Sequence, residues 1–169
     1  MTSMLENVRG ADAEPRSVVG RRISMAVLLA VLLAGLLGLL GDRDVTRTAE
    51  ADGYTLSLTY PQTARTGLDR PWQLEITSEN GFDDEITLAV TADYFDIYEH
   101  QGIDPELADA TRDGIYLYWT FTAPEGDTFR VSLDQYIQPA SQVGDSGVVA
   151  LMVDGERVAP IEFSTFIFP

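Results

Sequence analysis

The chain has 169 residues, 45% of them hydrophobic, and no cysteine. That is enough for one packed domain plus an anchor, and it excludes a disulfide framework, a thiolate metal site and a Cys nucleophile. All 11 basic residues are Arg, against 27 acidic ones, for a formal charge of −16; the acids and bases cancel within residues 1–51, so the excess lies in 52–169 and repels nucleic acid and anionic headgroups from that part.

Residues 1–22 form a polar tail ending in Arg16, Arg21 and Arg22. Residues 23–40 carry no charge and include eight Leu. As a helix they would rise about 27 Å, close to the roughly 30 Å of bilayer hydrocarbon. A cleaved signal peptide has a shorter apolar core, about 7–15 residues, followed quickly by a small-x-small site. Here Asp42, Arg43 and Asp44 follow instead, and the only Ala-x-Ala nearby is Ala49-Glu50-Ala51. The expectation is a retained single transmembrane helix contacting lipid over 23–40. The Arg residues before it place the N-terminus in the cytoplasm and the rest outside, at the cell membrane. A lipoprotein is excluded because there is no Cys to acylate. Within the span Ala26, Ala30, Ala34 and Gly38 recur every fourth residue, a stripe on which a second copy or another subunit can pack, and one that also arises in any Leu/Ala-rich helix.

Residues 41–53 are polar and without periodicity, and read as a short linker to a domain over 54–169. There the period becomes two: Tyr54, Leu56, Leu58 and Tyr60 alternate with Thr55, Ser57 and Thr59 before Pro61. Trp72, Leu74 and Ile76, a turn at Glu79-Asn80-Gly81, then Ile86, Leu88 and Val90 read as a hairpin. A short edge strand is expected over 94–98, and 104–112, opening with Asp104-Pro105, is the one helical candidate. Leu117, Trp119 and Phe121 should face inward from the strand after Asp113-Gly114. Phe129, Val131 and Leu133 follow a turn at Pro124-Glu125-Gly126-Asp127. Asp154-Gly155 should make a primed two-residue turn in a final hairpin.

Seven to eight short strands without an amphipathic helix predict an all-β protein, an Ig-like antiparallel β-sandwich preceded by one transmembrane helix. The succession "YLYWTF", "APEGD", "TFRVSL" (116–133) resembles bacterial Ig-like domains of membrane-anchored envelope proteins. The resemblance spans 54–168 and implies the sandwich fold but no particular activity.

One string looks catalytic: Gly144-Asp145-Ser146-Gly147, the setting of the nucleophile in trypsin-like proteases. That mechanism needs a His base and a buried Asp. The one His, His100, sits in "DIYEHQG", unlike the protease His, and the domain is too small for two barrels. A polar turn between strands explains the string. Asp93, Asp96, Glu99, Asp104 and Glu106 form the densest acidic stretch, but the alternation of a Ca²⁺ loop is absent and one His makes no zinc site. No cofactor or metal is expected.

The same stretch interleaves Tyr94, Phe95, Asp96, Tyr98, Glu99 and His100 in an expected long loop, 92–112. Such loops carry recognition residues, and this one reads as a partner-binding surface unless Tyr94 and Ile97 cap the core. The sequence therefore predicts a non-catalytic binding or accessory module. Its partner is another membrane or envelope protein, or itself through the helix, and not nucleic acid. The rivals are a small surface hydrolase using carboxylates such as Asp96 and Glu99, and a Ca²⁺-dependent adhesion or structural domain.

Overall fold

The computed structural model describes residues 15–38, 41–138 and 143–168, the side chains of 15–17, 100 and 101 excepted. Most of the expected cytoplasmic tail and Leu39–Leu40 of the expected span fall outside these. The chain divides into two units, Met1–Gly41 and Asp42–Pro169.

The first unit is helix α1, Pro15–Leu36. Its Val18–Leu36 stretch is long and apolar enough to cross a bilayer, and none of it is buried. The helix ends earlier than the apolar run does. Leu37 N–H still bonds the Leu33 carbonyl at 2.9 Å, but Gly38 takes φ +70°, the left-handed cap that stops a helix.

The second unit is all β, with ten strands among the described residues: β1 Arg43–Ala51, β2 Tyr54–Arg65, β3 Asp69–Ser78, β4 Glu85–Thr91, β5 Tyr98–Asp104, β6 Asp109–Arg112, β7 Tyr116–Thr122, β8 Thr128–Ile137, β9 Gly144–Val153 and β10 Glu156–Phe168. They form one continuous curled sheet in the order β5-β8-β3-β2-β10-β9-β4-β7-β6, with β1 on the outside of β2. The continuity runs through β2. Its residues 54–59 pair antiparallel with β3, whereas Thr63, Ala64 and Arg65 pair parallel with the end of β10. Pro61, which has no N–H to give a ladder, lies between these two stretches.

The two halves of the sheet face each other as a sandwich. Trp72 of β3 meets Trp119 of β7 edge-on at 6.3 Å and Phe163 of β10 at 6.1 Å, and Phe121 of β7 meets Phe129 of β8 at 5.2 Å. Such tilted aromatic pairs add to the apolar area they bury. The inward positions read from alternation, including Leu56, Leu58, Tyr60, Leu74, Ile76, Ile86, Leu88, Val90, Val131 and Leu133, are all core residues. Placed on an immunoglobulin frame, β2-β3-β8-β5 occupy positions A, B, E and D, and β4, β9 and β10 occupy C, F and G. β7 and β6 extend the second sheet as C′ and C″ would, but the chain visits D first and reaches C″ before C′.

Four expectations are corrected. Ten strands are present rather than seven or eight. Residues 43–51, read as linker, are β1, joined to β2 by a turn with Asp52 at φ 53° and Gly53 at φ 78°. This edge strand is half-buried only at Val45, Ala49 and Ala51, with the exposed Arg47 standing where the alternation would put another inward residue, so its apolar alternation is faint. β3 and β4 do not form a hairpin: β3 pairs with β2 and β8, β4 with β7 and β9, so the turn at Glu79-Asn80-Gly81 carries the chain between sheets. Residues 104–112 hold no helix. Asp109–Arg112 are exposed throughout and offer no apolar face to pack as a helix, and their backbone pairs with β7 instead. The final turn is as expected, with Asp154 at φ 50° and Gly155 at φ 81°.

Candidate functional site

The aromatic and acidic segment after β4 is not the long loop expected, and its aromatic rings are not on the surface. Asp93–Ile97 form a 3₁₀ helix where an edge strand was expected, and β5 and β6 follow, so no long irregular loop exists over 92–112. Tyr94, Phe95 and Tyr98 are buried; Asp96 and Glu99 are exposed, and the side chain of His100 is outside the described residues. Tyr94 packs edge-on against Phe163 at 4.6 Å, and Phe95 lies 5.1 Å from Trp119. These rings close one end of the core, so the expected aromatic surface is withdrawn.

The buried phenols are tied together. Tyr98 and Tyr94 hydroxyls are 2.8 Å apart, Tyr94 and Thr165 hydroxyls 2.7 Å, and the Thr165 hydroxyl donates to the Pro61 carbonyl at 2.5 Å. Burial pushes both phenols above their ordinary range, Tyr94 the further of the two, with Tyr98 beside it adding to the rise.

Gly144-Asp145-Ser146-Gly147 is not a turn either but the first part of β9, paired with β10 from Phe166 to Phe163. A Cβ on Gly147 would stand 3.0 Å from the Phe163 ring and 3.2 Å from Tyr94 Cβ, so the glycine makes room for that aromatic pair. The string is accounted for by packing. In the helix, Ala26, Ala30 and Ala34 lie on α1 as expected, but Gly38 lies past its last residue and serves as the cap described above.

The chemistry presented to solvent lies elsewhere, on the outer face of β7. Alternation turns Leu117, Trp119 and Phe121 inward and therefore Tyr116 and Tyr118 outward. Opposite Tyr118 stands Ala89 of β4, which in turn faces Ala150 of β9, small residues that leave room for a ring on the sheet. The Arg157 guanidinium carbon, from β10, sits 4.6 Å from the centre of the Tyr116 ring, a cation–π contact. Asp113, at the β6–β7 turn, fixes the other ring: one carboxylate oxygen accepts the N–H groups of Ile115 (3.0 Å) and Tyr116 (2.8 Å), the other the Tyr118 hydroxyl (2.7 Å). The backbone bond from Tyr116, then the Tyr118 hydroxyl, hold the Asp113 carboxyl down at about 2. The same bond raises the Tyr118 phenol.

These residues, with the exposed Ile115 and with Met152, line a shallow cleft of about 540 Å³. Its groups suit recognition: two oriented phenols, a guanidinium and an apolar rim. A carboxyl held near 2 is a poor proton donor or acceptor at neutral pH. Among the described residues, no three His, Asp or Glu side chains converge as a metal site would require. Alternation in "YLYW" was enough to send both tyrosines outward; nothing in the sequence paired them with Arg157, which comes from another hairpin.

No known protein family matches the chain, and no curated protein matches it. Among solved structures it is similar to a non-cellulosomal cohesin from the hyperthermophilic archaeon Archaeoglobus fulgidus, with 15% identity over 75% of this chain and 92% of that one and a TM-score of 0.39. It is also similar to parts of two larger proteins. One is the Pseudomonas fluorescens alkylpurine DNA glycosylase AlkC (20% identity, 63% of this chain, 28% of that one, TM-score 0.29). The other is a β-glucosidase from Listeria innocua (11% identity, 75% and 17%, TM-score 0.33). Likenesses at these scores carry nothing about what this chain binds or does.

Proposed function

We propose that the chain is a membrane-anchored, non-catalytic binding module, with α1 in a bilayer, the N-terminus in the cytoplasm and the β-sandwich outside, and that its partner is another envelope membrane protein. The orientation rests on Arg16, Arg21 and Arg22 before the apolar span. The observation that carries the binding role is the Tyr116–Arg157 contact beside the Asp113-tethered Tyr118. Tyr and Arg held in fixed geometry around a partly apolar cleft are the residue types that dominate protein–protein hot spots. The packing stripe of Ala26, Ala30 and Ala34 on α1 offers the same partner a second contact within the bilayer.

The test is isolation of the full-length chain in mild detergent, alongside a Tyr116→Ala/Arg157→Glu variant shown by its melt to be folded. A stoichiometric companion that stays with the native chain and is lost from the variant supports the reading. Recovery of the native chain as a lone monomer overturns it.

A further inference from the structure

The two poles of the sandwich differ in chemistry. Strand register identifies the pole at which the chain enters the domain: Arg43 of β1 pairs with Thr63 of β2, Thr63 with Phe166 of β10, and Phe166 with Gly144 of β9. Phe168 pairs with Arg65, and the β2–β3 turn follows directly. Four large hydrophobic side chains are exposed among the described residues of the domain, and three of them are here: Leu68 (41%), Val143 (68%) and Phe166 (45%). The half-buried Phe168 ring meets Phe166 edge-on at 4.9 Å, and the Val143 carbonyl accepts the N–H of Ile167 at 2.9 Å, so these belong to one patch. The fourth, Ile115, lines the outer-face cleft.

The opposite pole is built from the turns at 52–53, 79–85, 123–127 and 154–156. Hydrogen bonds lace three of them together, Glu79 N–H to the Gly53 carbonyl, Ser78 N–H to Asp127 and Ala123 N–H to Asp84. These turns carry nine acidic residues, all exposed, no Arg and no exposed large hydrophobic side chain.

We propose that the Asp42 pole rests on the lipid surface, with Leu68, Val143 and Phe166 in the interfacial layer and the acidic pole turned away. This rests on the reading that α1 stays in a bilayer. Only residues 37–41 separate the end of α1 from Asp42, a stretch that reaches at most about 20 Å when fully extended. The pole that carries the apolar patch is therefore the one the chain holds near the membrane. Apolar surface that is costly in water is favourable in the interfacial layer, and the opposite pole has no exposed large hydrophobic side chain to offer there. The contact is apolar rather than electrostatic. Asp42 and Asp44 are both engaged by Arg70, Asp145 accepts the Ser146 N–H and Asp93 pairs with Arg112. Asp69 is exposed, however, as is Asp96 of the 3₁₀ helix at this same end, and the exposed Arg43 and Arg65 only offset them, so charge does not draw this pole to lipid.

The absence of native cysteine makes the test direct. Single Leu29→Cys, Val143→Cys, Phe166→Cys and Glu125→Cys variants of the full chain carry a spin label in phosphatidylcholine vesicles, and collision with a water-soluble nickel chelate is compared with collision with oxygen. The expected result is nickel collision several-fold lower at 143 and 166 than at 125, unchanged by salt. Labels at 143 and 166 as open to nickel as the one at 125, with 29 protected, overturn the lipid contact and leave the anchor standing. A label at 29 that is itself open to nickel sinks the anchor reading and the lipid contact with it.

Discussion

The hydroxyl of Tyr94 lies 2.7 Å from the hydroxyl of Thr165, 71 residues further along the chain. Because Thr165 donates its one proton to the Pro61 carbonyl, it accepts from Tyr94, and Tyr94 in turn accepts from Tyr98. The 3₁₀ helix, the last strand and the bend in β2 are thereby held by one directional chain of hydroxyls inside the core.

Tyr94→Phe breaks that chain at its middle. Tyr98 and Thr165, both buried, lose their short bonds to Tyr94 and keep between them only a 3.5 Å contact, and the loss should be about 1–3 kcal/mol in a urea melt. Tyr116→Phe, whose hydroxyl is not part of this chain, is the control and should change little. The pH dependence has a definite sign. A phenol whose value is raised in the fold contributes stability that is whole below the unfolded value, about 10, and is lost as pH rises from there toward the raised folded value. The native chain should therefore weaken above about pH 10, and Tyr94→Phe should weaken less steeply.

Gly144 and Gly147 rank two substitutions in advance. Gly147→Ala places a methyl against Phe163 and Tyr94 and should cost about 1–3 kcal/mol as those rings shift. Gly144→Ala should cost more: its φ is +115°, and a Cβ there would stand 1.9 Å from the Thr165 carbonyl oxygen, which is backbone and cannot swing away. Denaturation midpoints give the order, and a Gly144→Ala chain as stable as the native one would show that β9 and β10 pair in another register.

Asp113 should titrate at about 2, read from its side-chain carboxyl resonance. Its carboxylate is favoured by the fold, so the support it lends the β6–β7 turn is present above the unfolded value of about 3.9 and disappears as pH falls through the folded one. Tyr118→Phe removes one of its donors and should raise the midpoint. A midpoint unmoved by that substitution would show that the phenol does not bond the carboxylate in solution.

The sequence made the apolar span, the alternating strands and most of the core legible, because those features are set by periods of a few residues. It missed β1, whose partner β2 covers only one side, so that Val45, Ala49 and Ala51 alternate with little apolar contrast. It placed Tyr94, Phe95 and Tyr98 on a surface because aromatic residues mixed with acids look solvated until the 3₁₀ helix turns the rings one way and Asp93 and Asp96 the other.

By itself, then, the sequence determined that a greasy helix precedes an acidic, cysteine-free all-β domain, since composition and local period are enough for that. Only the tertiary structure decided which aromatics face water, that Arg157 lies over Tyr116, and that Leu68, Val143 and Phe166 gather at the pole where the chain enters the domain. Those are relations between strands far apart in the chain. They follow from pairing register, which no local window of residues contains.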